Sequence, residues 1–244
     1  MTAATMGWRP HPPLPRPLKY AAALAVLIAV LDWAALAIDG TTVILRNLAH
    51  GHDLPQAMFL WFRYFTILTN IGVAALMSLT AYRLYRHRPL PSAALYASAL
   101  VYILVVCATY EAVLRTSWTP RGMGFDTDLT FHDIVPALVL VFWTLFAPKR
   151  GLGLRYSLLL MIYPAIYFAG TLIAGALGET YPYSFLDVSK LGYPAVAVTG
   201  VVFLVIFYAL GLATITASRR KRLKFSRPAR HEAPELRPLE QGHR

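Results

Sequence analysis

Long apolar runs separated by short polar stretches recur six times along the chain. Each run reaches or approaches the roughly 20 residues that a helix needs to cross a bilayer. They predict spanning helices over 20–38, 58–82, 93–114, 130–147, 154–177 and 193–217. Prolines punctuate this pattern where it tolerates them. Pro12, Pro13, Pro15 and Pro17 belong to an extended N-terminal arm, and Pro89 and Pro91 to a loop. Pro136 and Pro194 fall in expected first helical turns, where a missing N–H costs little. Pro164 falls inside the fifth span and is expected to kink it. The reading is an all-α integral membrane protein with six transmembrane helices. It comprises a Pro-rich arm over 1–19, a transmembrane domain over 20–218 and a basic tail over 219–244.

Composition agrees with lipid as the solvent. Hydrophobic residues make up 57% of the 244 and charged residues 14%, against about 25% charged in soluble domains. Ala35-Leu36-Ala37 looks like a signal-peptidase site. The run around it is longer than the ~7–15-residue core of a signal peptide and holds Asp32, so the first helix is expected to be retained.

The net charge of +11 is unevenly placed. Eighteen of the 23 Lys and Arg fall in the N-terminal segment, the second and fourth loops and the tail. The other five, Arg46, Arg63, Arg115, Arg121 and Lys190, fall on the opposite side or in the adjoining half of the membrane. Basic residues gather on the cytoplasmic side, so both termini are expected inside, in the cell membrane. The tail follows directly on an apolar run and reads as a juxtamembrane segment near anionic lipid, not as a nucleic-acid-binding arm. Cys107 stands alone, which excludes an intramolecular disulfide and a Cys-based zinc site.

Acidic residues sharpen the picture. Outside the tail they are Asp32, Asp39, Asp53, Glu111, Asp126, Asp128, Asp133, Glu179 and Asp187. All nine map to outer loops or outer halves of spans. Ionisable groups within spans are costly and usually face a cavity or a partner, so the polar work is expected near the outer face. In span two, Arg63, Thr66, Ile67 and Asn70 share a face by the three-and-four spacing of a continuous helix. That face offers a guanidinium, a hydroxyl and an amide, although Thr and Asn in spans also serve helix packing. His132 opens span four at the membrane boundary. Asp133 points about 100° away from it, leaving Glu111, Asp32 or Asp187 to orient the ring. Thr66 lies some eight residues into span two, and a helix tilt, or a span start nearer Phe62, brings it closer to His132. The segments 115–129, with Trp118, and 179–187, rich in aromatics, are either interfacial belts or lids. His132 with Asp126, Asp128 and Asp133 is a weak metal pattern. The nucleophile-elbow, zinc-protease and phosphate-loop motifs are absent.

Three short motifs together carry a resemblance. Arg63-Tyr64-Phe65-Thr66, His132 followed by Pro136, and Tyr181-Pro182-Tyr183-Ser184-Phe185-Leu186 resemble the androgen-induced gene family and its bacterial six-pass relatives in order, spacing and topology over 58–217. The animal members are intramembrane threonine hydrolases of fatty acid esters of hydroxy fatty acids. The resemblance implies Thr66 as nucleophile and His132 as the essential histidine, with a lipid substrate and no cofactor. One departure is that three residues, not four, separate the histidine from the proline. The residue chemistry adds Arg63 as a clamp for a substrate carboxylate and Asn70 as an oxyanion donor. Tyr181, Tyr183, Glu111, Asp187 and Asp32 complete the candidates for binding or orienting. Competing readings are a transporter whose outer acids and His132 bind a cation or proton, and an accessory protein that recruits a partner through its tail.

Overall fold

The computed structural model describes residues 15–115 and 123–225. Each of the six apolar runs is mainly helical, and six helices are long and apolar enough to cross a membrane. Helix α1 (Arg16–Ala49) extends well past the predicted end at residue 38. Nothing in the segment after Ile38 breaks a helix, and the Thr42 hydroxyl donates to the Ile38 carbonyl within it. The start at Arg16 draws residues 16–19 of the expected arm into the helix. The rest of that arm to residue 14, the tail beyond residue 225, Trp118 and Arg121 lie outside the described residues.

A short helix, α2 (Leu54–Phe62), follows. The Asp53 carboxylate accepts from the Gln56 N–H, and a proline sits in the first turn. The chain then breaks. Tyr64 is extended (φ −85°, ψ 132°) and α3 (Phe65–Tyr85) begins after it. The continuous second span expected from residue 58 is thus two helices. Helix α3 packs antiparallel to α1, with the Trp33 indole donating to the Ser78 hydroxyl at 3.1 Å. Helix α4 (Ala93–Thr109) ends in a π-helical turn, Tyr110–Leu114. The next span is α5 (Met123–Leu129), a second π turn at Thr130–Ile134, and α6 (Val135–Leu145). His132 therefore lies within the span and is buried, not at its opening. Pro136 falls in the first turn of α6, directly after the π turn, and not in the first turn of the span as a whole.

The fifth span is split into α7 (Tyr156–Leu159) and α8 (Ile162–Ala176). Pro164 explains the break. It has no N–H for the Leu160 carbonyl one turn back, and that carbonyl instead accepts the Tyr102 hydroxyl at 3.0 Å. The last span, α9 (Val188–Phe225), is interrupted at Gly192 (φ 76°, ψ 157°), two residues before Pro194. Only glycine adopts that backbone cheaply. The core lies among α1, α3, α4 and α6, with Leu160 and Phe207 joining from the α7/α8 and α9 spans. Six passes return the chain to the side on which it entered. The end of the bundle carrying α2 and residues 177–187 is called the lid end below.

Candidate functional site

The break at Tyr64 creates the site. Residues at a helix start leave N–H groups without partners in their own helix. The first such bond in α3 runs from the Leu68 N–H to the Tyr64 carbonyl at 3.2 Å, so the N–H groups of Phe65, Thr66 and Ile67 are not spent within it. Thr66 is the second residue of α3, not eight residues into a longer helix. Its N–H donates to the Tyr183 hydroxyl at 3.4 Å, and its Oγ1 lies 3.5 Å from the same oxygen. On the other side of the break, the Arg63 carbonyl accepts the Tyr167 hydroxyl at 2.8 Å. Two tyrosines from distant segments thus take up backbone groups that the broken helix releases.

Thr66 forms part of the wall of an apolar cavity of about 150 Å³. Phe65, Val105 and Thr109 line it from α3 and α4, Pro164 and Phe168 from α8, and Gly200 and Phe207 from α9. Tyr183, Phe185 and Leu186 close it at the lid end, with Tyr183 and Phe185 stacked at 5.1 Å. Burial pushes the Tyr183 phenol above the ordinary tyrosine range, although its hydrogen bond with Thr66 works the other way.

His132 lies in a second cluster. Its Nδ1 donates to the Asp128 carbonyl at 2.8 Å and lies 3.2 Å from the Asp128 carboxylate. Its ring stacks on Tyr110 at 4.0 Å and 14°, and the Tyr110 hydroxyl donates to the other Asp128 oxygen. This leaves Nε2 as the acceptor nitrogen, with no hydrogen-bond partner among the described residues. The two π turns meet here, one presenting Tyr110 and the other His132. Such turns recur at functional sites. Asp39 hydrogen-bonds the Trp61 indole at 2.8 Å and lies within electrostatic reach of Asp128 and His132.

The two clusters adjoin but do not touch by hydrogen bond. Ile67 and Phe131, the sequence neighbours of Thr66 and His132, belong to one small apolar cluster. Thr109 lines the cavity, and the next residue, Tyr110, stacks on His132. The hydroxyl partner of Thr66 is Tyr183, and among the described residues no hydrogen bond joins Thr66 to His132.

The remaining candidates are engaged elsewhere. Arg63 does not share the α3 face with Thr66 and Asn70, because it ends α2. Its guanidinium donates to the Thr180 carbonyl at 2.9 Å and to the Thr180 hydroxyl, while Nε is buried without a partner. Asn70 is held one turn along α3 from Thr66. Its amide is committed to the Thr66 carbonyl at 2.9 Å, one turn back. Glu111 pairs with Arg115 at 2.6 Å, and Asp133 with the same arginine at 2.9 Å. Asp187 accepts from the Ser189 N–H at 3.1 Å and from Lys190 at 2.9 Å, capping the first turn of α9. Tyr181 lies across Gly175, where an added Cβ would meet its ring at 2.1 Å. Asp32 is fully buried in mid α1, and among the described residues neither carboxylate oxygen has a hydrogen-bond partner. Among the described residues no three His, Cys, Asp or Glu are grouped to hold a metal.

Asp128, Tyr110 and Tyr167 were missed as site residues. Asp128 was findable, being four residues before His132 on one helix face. The two tyrosines carry no local signal. Family models, curated proteins and solved structures were compared with the chain, and none matches it. Fold and site together define a multipass, six-helix membrane protein with an apolar cavity that meets a threonine hydroxyl at a helix start.

Proposed function

We propose that this chain is an intramembrane hydrolase of lipid esters, a relative of the androgen-induced gene family, with Thr66 as its nucleophile. The observation that carries the reading is the position of Thr66. Its hydroxyl stands at the start of α3, on the wall of an apolar cavity, beside a second hydroxyl. Thr66 Oγ1 attacks the ester carbonyl carbon, an acyl–Thr66 bond forms and the carbon–alkoxide bond breaks. The Phe65 and Ile67 N–H groups, not spent within α3, are the backbone donors for the developing oxyanion at this positive helix end. Tyr183 takes the Thr66 proton and passes its own to the leaving alkoxide. A buried, neutral phenol suits this relay, since it neither starts nor ends with a charge. Water then cleaves the acyl–Thr66 ester, releasing a carboxylic acid and restoring the hydroxyl.

His132 is the other acceptor this mechanism can use, because the bond from Nδ1 to Asp128 fixes Nε2 as the basic nitrogen. Purified protein in detergent, assayed with fatty acid esters of hydroxy fatty acids and with simpler esters of several acyl lengths, tests the reading. Turnover in wild type and loss in Thr66→Ala support it. Absence of turnover in wild type on every ester ends it. Comparing Tyr183→Phe with His132→Ala identifies the proton carrier, which loses on the order of 10²–10⁴-fold. From the charge split we infer a cell-membrane protein with its lid end outside and both termini in the cytoplasm.

One observation favours the transport reading. Asp32 is an intramembrane carboxylate without a partner among the described residues, and such groups mark ion or proton paths. Asp32→Asn in proteoliposomes would abolish a proton or sodium flux under that reading and leave ester turnover untouched.

A further inference from the structure

Resting on the hydrolase reading, we propose that the cavity holds the acyl arm of the ester, and that Phe168 seated against Gly200 limits that arm to a short chain. Phe168 lies on α8 and Gly200 on α9, and both line the cavity. The ring tip of Phe168 comes so close to Gly200 that an added Cβ would lie 2.7 Å from Cζ. No larger residue at position 200 leaves the ring where it is. The contact closes the seam between the two helices. Beyond it both helices present apolar side chains to the surroundings, among them Ile166, Val198 and Val201. The cavity thus ends at this aromatic stop, with lipid on the other side.

Size sets the length of the arm. The volume is about 150 Å³, and an apolar cavity of about 150 Å³ admits a benzene ring, so roughly six carbons fit. Polarity sets which arm it is. The leaving alkoxide must collect a proton and depart. The polar pairs Arg63 with Thr180 and Gln56 with Glu179 lie outside the cavity, at the lid end. The arm left behind on Thr66 is the acyl arm, and it faces an interior whose polar contributors are Thr66, Thr109, Tyr167 and Tyr183.

The test uses the full chain in detergent with two ester series. In one the acyl arm grows from two to sixteen carbons on p-nitrophenol. In the other the acyl arm is fixed as acetyl and the alcohol grows. Wild-type kcat/KM is expected to rise about fourfold per methylene, the worth of one buried methylene, up to about six acyl carbons and then to level or fall. Phe168→Ala opens the seam and moves the optimum to longer chains. Gly200→Ala pushes the ring into the cavity and moves it to shorter ones. Opposite shifts in the two variants support the stop. Unchanged profiles in folded variants, or a length optimum that follows the alcohol arm, overturn it. If wild type turns over no ester, the hydrolase reading fails. The stop is then read from binding, by ¹⁹F NMR of ω-trifluoromethyl carboxylic acids of six and twelve carbons. The shorter acid should bind wild type, and the longer one should gain in Phe168→Ala. Equal binding of both acids to both proteins would overturn the stop independently of catalysis.

Discussion

Thr66 illustrates how one residue depends on distant ones. A threonine hydroxyl is a weak nucleophile and needs an adjacent acceptor, and the neighbour at hand is the Tyr183 hydroxyl at 3.5 Å. Thr66→Ser keeps the hydroxyl and should retain measurable turnover, whereas Thr66→Ala should retain none above background. Equal rates for the two variants in the ester assay would remove Thr66 from the chemistry. Tyr183→Phe should lower kcat more than it raises KM, because the ring still closes the cavity and only the proton path is lost. A change confined to KM would make Tyr183 a wall and not a relay. Asp187 has a different job. The Ser189 hydroxyl, then Lys190, hold its carboxyl below the ordinary carboxylate range. A depressed value means stability that is present above the unfolded value near 4 and lost as pH falls through the folded one. Thermal melts of Asp187→Ala should therefore match wild type at the acidic end of the range and fall below it at neutral pH. Asp187→Asn, which can still cap α9, should lie between them.

At the scale of elements, the instructive case is the break between α2 and α3. The run from Met58 to Tyr82 carries no proline or glycine near residue 64, so local pattern reads it as one helix. The break is stable because tertiary partners satisfy it, Tyr167 at the Arg63 carbonyl and Tyr183 at the Thr66 N–H. Backbone groups left unsatisfied in lipid cost several kcal/mol each, so these two phenols decide the local fold. Neither lies within 100 residues of the break, which is why a single-sequence reading missed it, and the misplacement of Arg63 followed. The break beside Pro164 was legible, since proline announces its missing N–H wherever it stands. Tyr167→Phe should leave the Arg63 carbonyl unpaired and destabilise the protein by about 1–3 kcal/mol. Denaturant unfolding in detergent reads this loss. No change would mean that another donor reaches that carbonyl.

For the whole molecule, the count of six spans came from apolar length alone, and six helices of that kind are present. Length is legible because the bilayer imposes it on each segment separately. Which way the bundle faces is a different kind of information, carried by charge outside the spans. The second loop holds Arg83, Arg86 and Arg88, while the lid segment 179–187 holds Glu179 and Asp187 and no basic residue. An energised bacterial or eukaryotic cell membrane retains basic loops on its cytoplasmic side, so the lid end should face out. The single Cys107 makes the experiment simple, because Cys107→Ala leaves a background free of thiols. In that background, a cysteine replacing Gly178 should react with a membrane-impermeant maleimide on intact cells. One replacing Arg88 should react only after the membrane is opened. The reverse pattern would place Thr66 and its cavity on the cytoplasmic side, and the esters reaching the site would then come from the inner leaflet. Labelling of both positions on intact cells would mean that the chain inserts in two orientations.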